Sequence, residues 1–129
     1  MCNDYANHIG AAEIGEAFSQ LRIPLRFPGG IPNIEGRDDI RITDPGAVIR
    51  AAADEPHAAE LVTMRWSLPG PPRDSKPGRP VYNYRSDGRT LGTGRCLIVA
   101  DAFYEFTDES GAKKGARKAK WRFTLAREP

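Results

Sequence analysis

Apolar positions along this chain gather in a few short runs, separated by stretches dense in Pro and Gly. The longest run, Arg95 to Phe106 (RCLIVADAFYEF), is rich in β-branched and aromatic residues and predicts a buried strand. Cys96, Ile98, Tyr104 and Phe106 fall on one parity of a two-residue repeat, and Leu97, Val99, Phe103 and Glu105 on the other. Both faces are therefore apolar, as in a central strand covered on each side, except for one carboxylate near its end. Either Glu105 finds a partner, stays protonated or faces a cleft, or it lies at the strand's exit and touches water.

The same patterning sets out the remaining elements. Gly10 to Arg22 predicts a helix: Ile14, Phe18 and Leu21 recur at i, i+4 and i+7, while Glu13, Glu16 and Gln20 face away. Between Ile23 and Asp44, the punctuation by Pro24, Pro28, Gly29, Gly30, Pro32 and Gly36 predicts a surface loop. Pro45 and Gly46 open a short strand, Ala47 to Arg50, and Glu60 to Leu68 (ELVTMRWSL) forms a second good one. The Pro/Gly-rich PGPPRDSKPGRP that follows is a non-helical loop. Val81 to Arg89 is a further extended candidate with a turn at Asp87-Gly88. After the central strand, TDESGAKKGARKAK reads as a mobile hairpin loop, because Gly111 and Gly115 break any helix. Lys120 to Leu125 alternates like a strand that pairs with Arg95–Phe106. The sum is a single α+β domain spanning 1–129, with mixed, largely antiparallel strands and few short helices.

Composition narrows the classes. At 129 residues the chain is long enough to bury a core, and a formal charge of +2 permits nucleic-acid binding without arguing for it. There is no run of about 18 apolar residues and no basic start followed by an apolar stretch, so a cytoplasmic protein without a membrane span is expected. The two cysteines, Cys2 and Cys96, form neither a metal-ligand spacing nor a disulfide framework, and Cys96 reads as a small core hydrophobe. His8 suits a loop or cap and His57 a solvated connector. With no P-loop, dinucleotide fingerprint or His/Cys cluster, no metal or cofactor is expected.

Candidate chemistry is scattered. Cys2 follows the initiator Met, whose removal would leave an α-amine and a thiol on one residue, both in part nucleophilic near neutral pH; the alternative is a cysteine with no role. Trp66 stands at the mouth of the Pro/Gly-rich loop, as core or rim packing or as a stacking platform for a base. Asn83 and Arg85 share a parity, supplying an amide and a fork suited to phosphate, or else a polar strand edge. Lys113, Lys114, Arg117, Lys118 and Lys120 make a basic loop that is solvated or meets phosphate.

Taken in order, Cys2, Trp66, Asn-x-Arg at 83 and 85, and RCLIVADAFYEF with Glu105 resemble the SRAP (SOS response-associated peptidase) family across nearly the whole chain. The resemblance implies a barrel-like mixed sheet flanked by short helices. It also implies a sensor of abasic sites in single-stranded DNA, acting in the DNA damage response and associated with the nucleoid when bound. The N-terminal Cys2 would form a thiazolidine crosslink with the ring-opened sugar aldehyde, and the family carries an autoprocessing, peptidase label. In this reading Cys2, Asn83 and Glu105 are catalytic, and Trp66, Arg85 and Phe106 contact DNA. A thiol-dependent autopeptidase and a truncated, non-covalent DNA or partner binder are the alternatives.

The chain departs from the family pattern at several positions: Ser67 follows Trp66 where Gly is usual, Phe106 stands for Trp, Asp87 for Glu and Ala102 for Gly. The family's later His-x-Arg-Met-Pro motif is absent, so the chain is expected to be the front part of the domain, incomplete at its C-terminus.

Overall fold

The computed structural model describes residues 2–90, 92–109, 111 and 113–126. In chain order the elements are β1 (Asp4–Asn7), α1 (Ala11–Gln20), β2 (Leu25–Arg26), β3 (Arg37–Arg41), β4 (Pro45–Ala51), β5 (Ala59–Arg65), β6 (Leu68–Arg73), β7 (Lys76–Val81), β8 (Cys96–Ile98), β9 (Ala102–Thr107) and β10 (Ala119–Phe123). They form one sheet of order β10-β9-β1-β3, a second of order β2-β5-β4-β8, and a ribbon of β6 and β7. All pairings are antiparallel except that of β2 with β5. The chain is thus mostly β with one short helix, and the sheets do not close into the expected barrel.

The helix forms where the periodicity predicts it. Gly10 is its N-cap and Ile14 its buried residue. It lies on the second sheet, where Ile14 packs with Ala47 and Ile49 of β4, Ala59 and Leu61 of β5, and Val99, with Phe18 at the margin. Ile49 and Leu61 are directly opposed across the β4–β5 ladder, so they share a face and meet the helix together. Leu61 is only 1% exposed, a burial that stabilises by roughly 1.5–3 kcal/mol. Leu21, expected on the same stripe, is instead 65% exposed, because the helix ends before it.

Three readings of the sequence are corrected. The run Arg95–Phe106 is two strands in two sheets, β8 beside β4 and β9 between β1 and β10. The break comes at Val99–Asp101, where the chain crosses between sheets: Val99 N–H donates to Ala47 O and Asp101 N–H to Ala6 O. Consequently β8 is an edge strand and Cys96 is exposed rather than a core hydrophobe. The segment 23–44 is not all loop, since it contains β2 and β3, and β3 borders β1. PGPPRDSKPGRP is non-helical as predicted, yet it folds into the β6–β7 hairpin around Asp74-Ser75, both at positive φ (48° and 62°). Two successive positive φ angles are the signature of the two-residue turn whose twist matches paired strands. The turn at Asp87-Gly88 is present, closed by Arg89 N–H to Ser86 O at 2.9 Å. The pairing of the last strand is also as expected, with Trp121 opposite Glu105 and Lys120 opposite Phe106.

Candidate functional site

The first sheet brings the N-terminal residues to the end of β9. Strand β1 pairs with β9 through Asp4↔Tyr104, Tyr5↔Phe103 and Ala6↔Ala102. Asn3 and Cys2 lie just ahead of this ladder, which ends at Asp4↔Tyr104. Directly opposed residues share a face. One face therefore carries Asp4, Ala6, Ala102, Tyr104 and Phe106, joined by Lys120 and Arg122 of β10. The other carries Tyr5, Phe103, Glu105, Trp121 and Phe123.

Cys2 is half-buried, and its thiol donates to the Asp4 carbonyl at 3.4 Å. Met1, whose removal would free the amine, lies outside the described residues. Glu105 is half-buried on the strand rung next to Phe106, with its side chain on the opposite face. Phe106 packs against Ala6, Ala102 and Tyr104. It also lines an open cleft of about 470 Å³ with Asn3, Tyr82, Arg117, Lys118 and Lys120. Cations, aromatic rings and an amide around one groove are the components a single-stranded nucleic acid needs.

The other expected residues stand further off. Trp66 packs its ring against Tyr5, 5.4 Å between centroids and tilted by 59°. Its backbone is tied to the β3–β4 turn, with Thr43 N–H donating to Trp66 O and Trp66 N–H to Asp44 O. Trp66 is therefore a packed wall on the Glu105 face of the sheet. Asn83 and Arg85 are exposed on the segment after β7, where Arg85 lies 3.4 Å from Asp87. Among the described residues, no hydrogen bond or ion pair joins either to Cys2; their neighbour Tyr82 lines the cleft.

Sequence reading missed a charged cluster under this cleft. Lys120 Nζ lies 2.7 Å from Asp4 Oδ2 and 2.5 Å from Asp39 Oδ1, and 3.9 Å from the centroid of the Tyr104 ring. Burial pushes the Asp4 carboxyl above the usual carboxylate range against the pull of Lys120. The Lys120 hydrogen bond holds Asp39 below it, and the bonds to Asp39 and Asp4 raise Lys120 itself. Asp4 Oδ1 is buried with no hydrogen-bond partner in the described structure. Alternation put Lys120 at the head of the last strand, but no feature of the sequence paired it with Asp4 and Asp39.

A second cluster surrounds His8. Its Nδ1 and its backbone N–H both meet Asp101 Oδ2 at 2.8 Å, and its Nε2 lies 3.1 Å from Asp38 Oδ1. The Asp101 hydrogen bond raises the imidazole's pKa. Among the described residues no group of three or more His, Cys, Asp or Glu side chains could hold a metal ion, and no helix is long and apolar enough to cross a membrane.

Compared with models of protein families, with curated proteins and with solved structures, the chain matches none.

Proposed function

We propose that this protein is an SRAP-like covalent binder of abasic sites in single-stranded DNA, acting through Cys2 once Met1 has been removed. The observation that carries the reading is the β1–β9 pairing, which runs the start of the chain towards the end of β9, where Asn3 and Phe106 line a cleft rimmed by Arg117, Lys118 and Tyr82.

The chemistry follows from the residue types. The Cys2 amine adds to the C1′ aldehyde of the ring-opened sugar, giving a carbinolamine. Loss of water then leaves a Schiff base. The thiol sulfur attacks the same carbon and gives up its proton, the C=N electron pair returns to nitrogen, and a five-membered thiazolidine closes. One water leaves in all. Because Cα and Cβ tether the two nucleophiles, ring closure is intramolecular and has the rate advantage of proximity. Water departs only if the hydroxyl is protonated, and the thiol proton must be accepted afterwards. The SRAP resemblance proposes Glu105 of β9 for both roles. The basic rim would take the backbone phosphates, while Arg85 and Asn83 on the exposed segment beyond Tyr82 would follow the strand outward.

The test is denaturing electrophoresis of the protein incubated with a uracil-excised single-stranded oligonucleotide. A heat-stable, protease-sensitive adduct is expected for the wild type and for Cys96→Ala, and none for Cys2→Ala. An adduct that persists without Cys2 overturns the reading.

A further inference from the structure

Lys120 is registered opposite Phe106, and both side chains project from the same face as that of Asp4, two residues after Cys2. Lys120 also lines the cleft, with Asn3 and Phe106.

The ammonium there is unusually well fixed. Asp4 and Asp39 take two of its three N–H groups, and Tyr104 lies beneath it. The neighbouring loop cation differs: Lys118 makes a 3.4 Å pair with Asp108 in which both side chains are more than half exposed. Exposed pairs of that kind hold a side chain weakly. Stability alone does not call for such a cluster. Burying a carboxylate against an ammonium is costly, apolar residues of the same volume would do as well, and one Asp4 oxygen is left unpartnered. A pre-aimed donor at a reacting centre is what such an arrangement does provide.

Resting on the function proposed above, we infer that Lys120 is an electrophilic residue of the crosslinking reaction. Its third N–H would donate to the aldehyde oxygen as the Cys2 amine adds, and Asp4 and Asp39 are the positioning residues that hold it there. In the addition step the C1′–N bond forms and the carbonyl π pair moves to oxygen. Lys120 stabilises that developing oxyanion, and the oxygen then takes the proton released by the nitrogen. Lys120 remains an ammonium throughout, a state both carboxylates favour.

The experiment separates binding from chemistry. Crosslinking rates are measured at saturating abasic oligonucleotide, and affinities in the Cys2→Ala background by fluorescence anisotropy. Lys120→Met is expected to lower the saturating rate by about 10- to 100-fold while leaving affinity within about twofold. Lys120→Arg should recover part of the rate, which a merely structural role would not require. If Lys120→Met unfolds the protein by stranding Asp4, the double variant Asp4→Asn/Lys120→Met removes both charges and should show the same loss. Unchanged rates in a folded variant, or a loss confined to affinity as for a phosphate contact, overturn the assignment while leaving the Cys2 chemistry standing. A wild-type protein that forms no adduct overturns both.

Discussion

Ser67 has a φ of 103°, a conformation that glycine adopts freely and other residues only under strain, and its hydroxyl is buried without a hydrogen-bond partner. It follows Trp66, whose backbone is pinned to the β3–β4 turn on both sides, so the chain must reverse sharply to enter β6. Replacing Ser67 with Gly relieves both the strain and the stranded hydroxyl. Glycine's greater freedom in the unfolded chain offsets part of this, leaving a net gain of about 1 kcal/mol in urea denaturation. An unchanged or lower stability would mean that Ser67 is held by contacts that outweigh its backbone.

At the level of elements, the sequence was most legible where one period ran uninterrupted. Helix α1 shows Ile14 and Phe18 turned to the second sheet, and β4, β5 and β10 lie where alternation put them. Legibility failed where a short segment draws its structure from a distant partner. β3 (RDDIR) is nearly all charged and carries no apolar signal, but it pairs with β1 through Asp4↔Arg41 and Tyr5↔Ile40. The apolar run 95–106 conceals a change of sheet, because no local feature distinguishes a strand that stays in one ladder from one that passes between two. Its cost to the sequence reading falls on Cys96, which opposes Arg50 on an edge strand in place of filling the core. The candidate site was legible in its residue types but not in its geometry. Asp4 was given no role, and Lys120 was placed both in the basic loop and at the head of the last strand. A direct consequence for β8 is that both thiols are accessible: iodoacetamide on the native protein should add two carbamidomethyl groups by intact mass, not one.

On the scale of the molecule, the two sheets are joined at the crossing through Asp101, and His8 fastens that crossing. Asp101 accepts from His8 twice, and Asp38, just within β3, meets the imidazole's other nitrogen. Because the folded-state pKa of His8 is raised, its contribution to stability is complete below about pH 6.5 and lost as pH rises through the higher folded value. For Asp101, burial raises the carboxyl but the His8 bonds outweigh it, so its contribution is present above the ordinary carboxylate range and lost as pH falls. The melting temperature should therefore decline as pH rises above about 6.5, more steeply in the wild type than in His8→Gln. Equal slopes would show that the imidazole is no part of the fastening between the sheets.

The first strand being an interior one has a practical corollary. Strand β1 is flanked by β9 on one side and β3 on the other, and Asn3, just ahead of it, lines the basic groove with Phe106. For the reaction proposed above, an affinity handle ahead of Cys2 would cap the amine and stand close to the groove at once, so a negative assay with it would not bear on the proposal. A purification tag belongs at the other terminus, or must be excised so that cysteine becomes residue one.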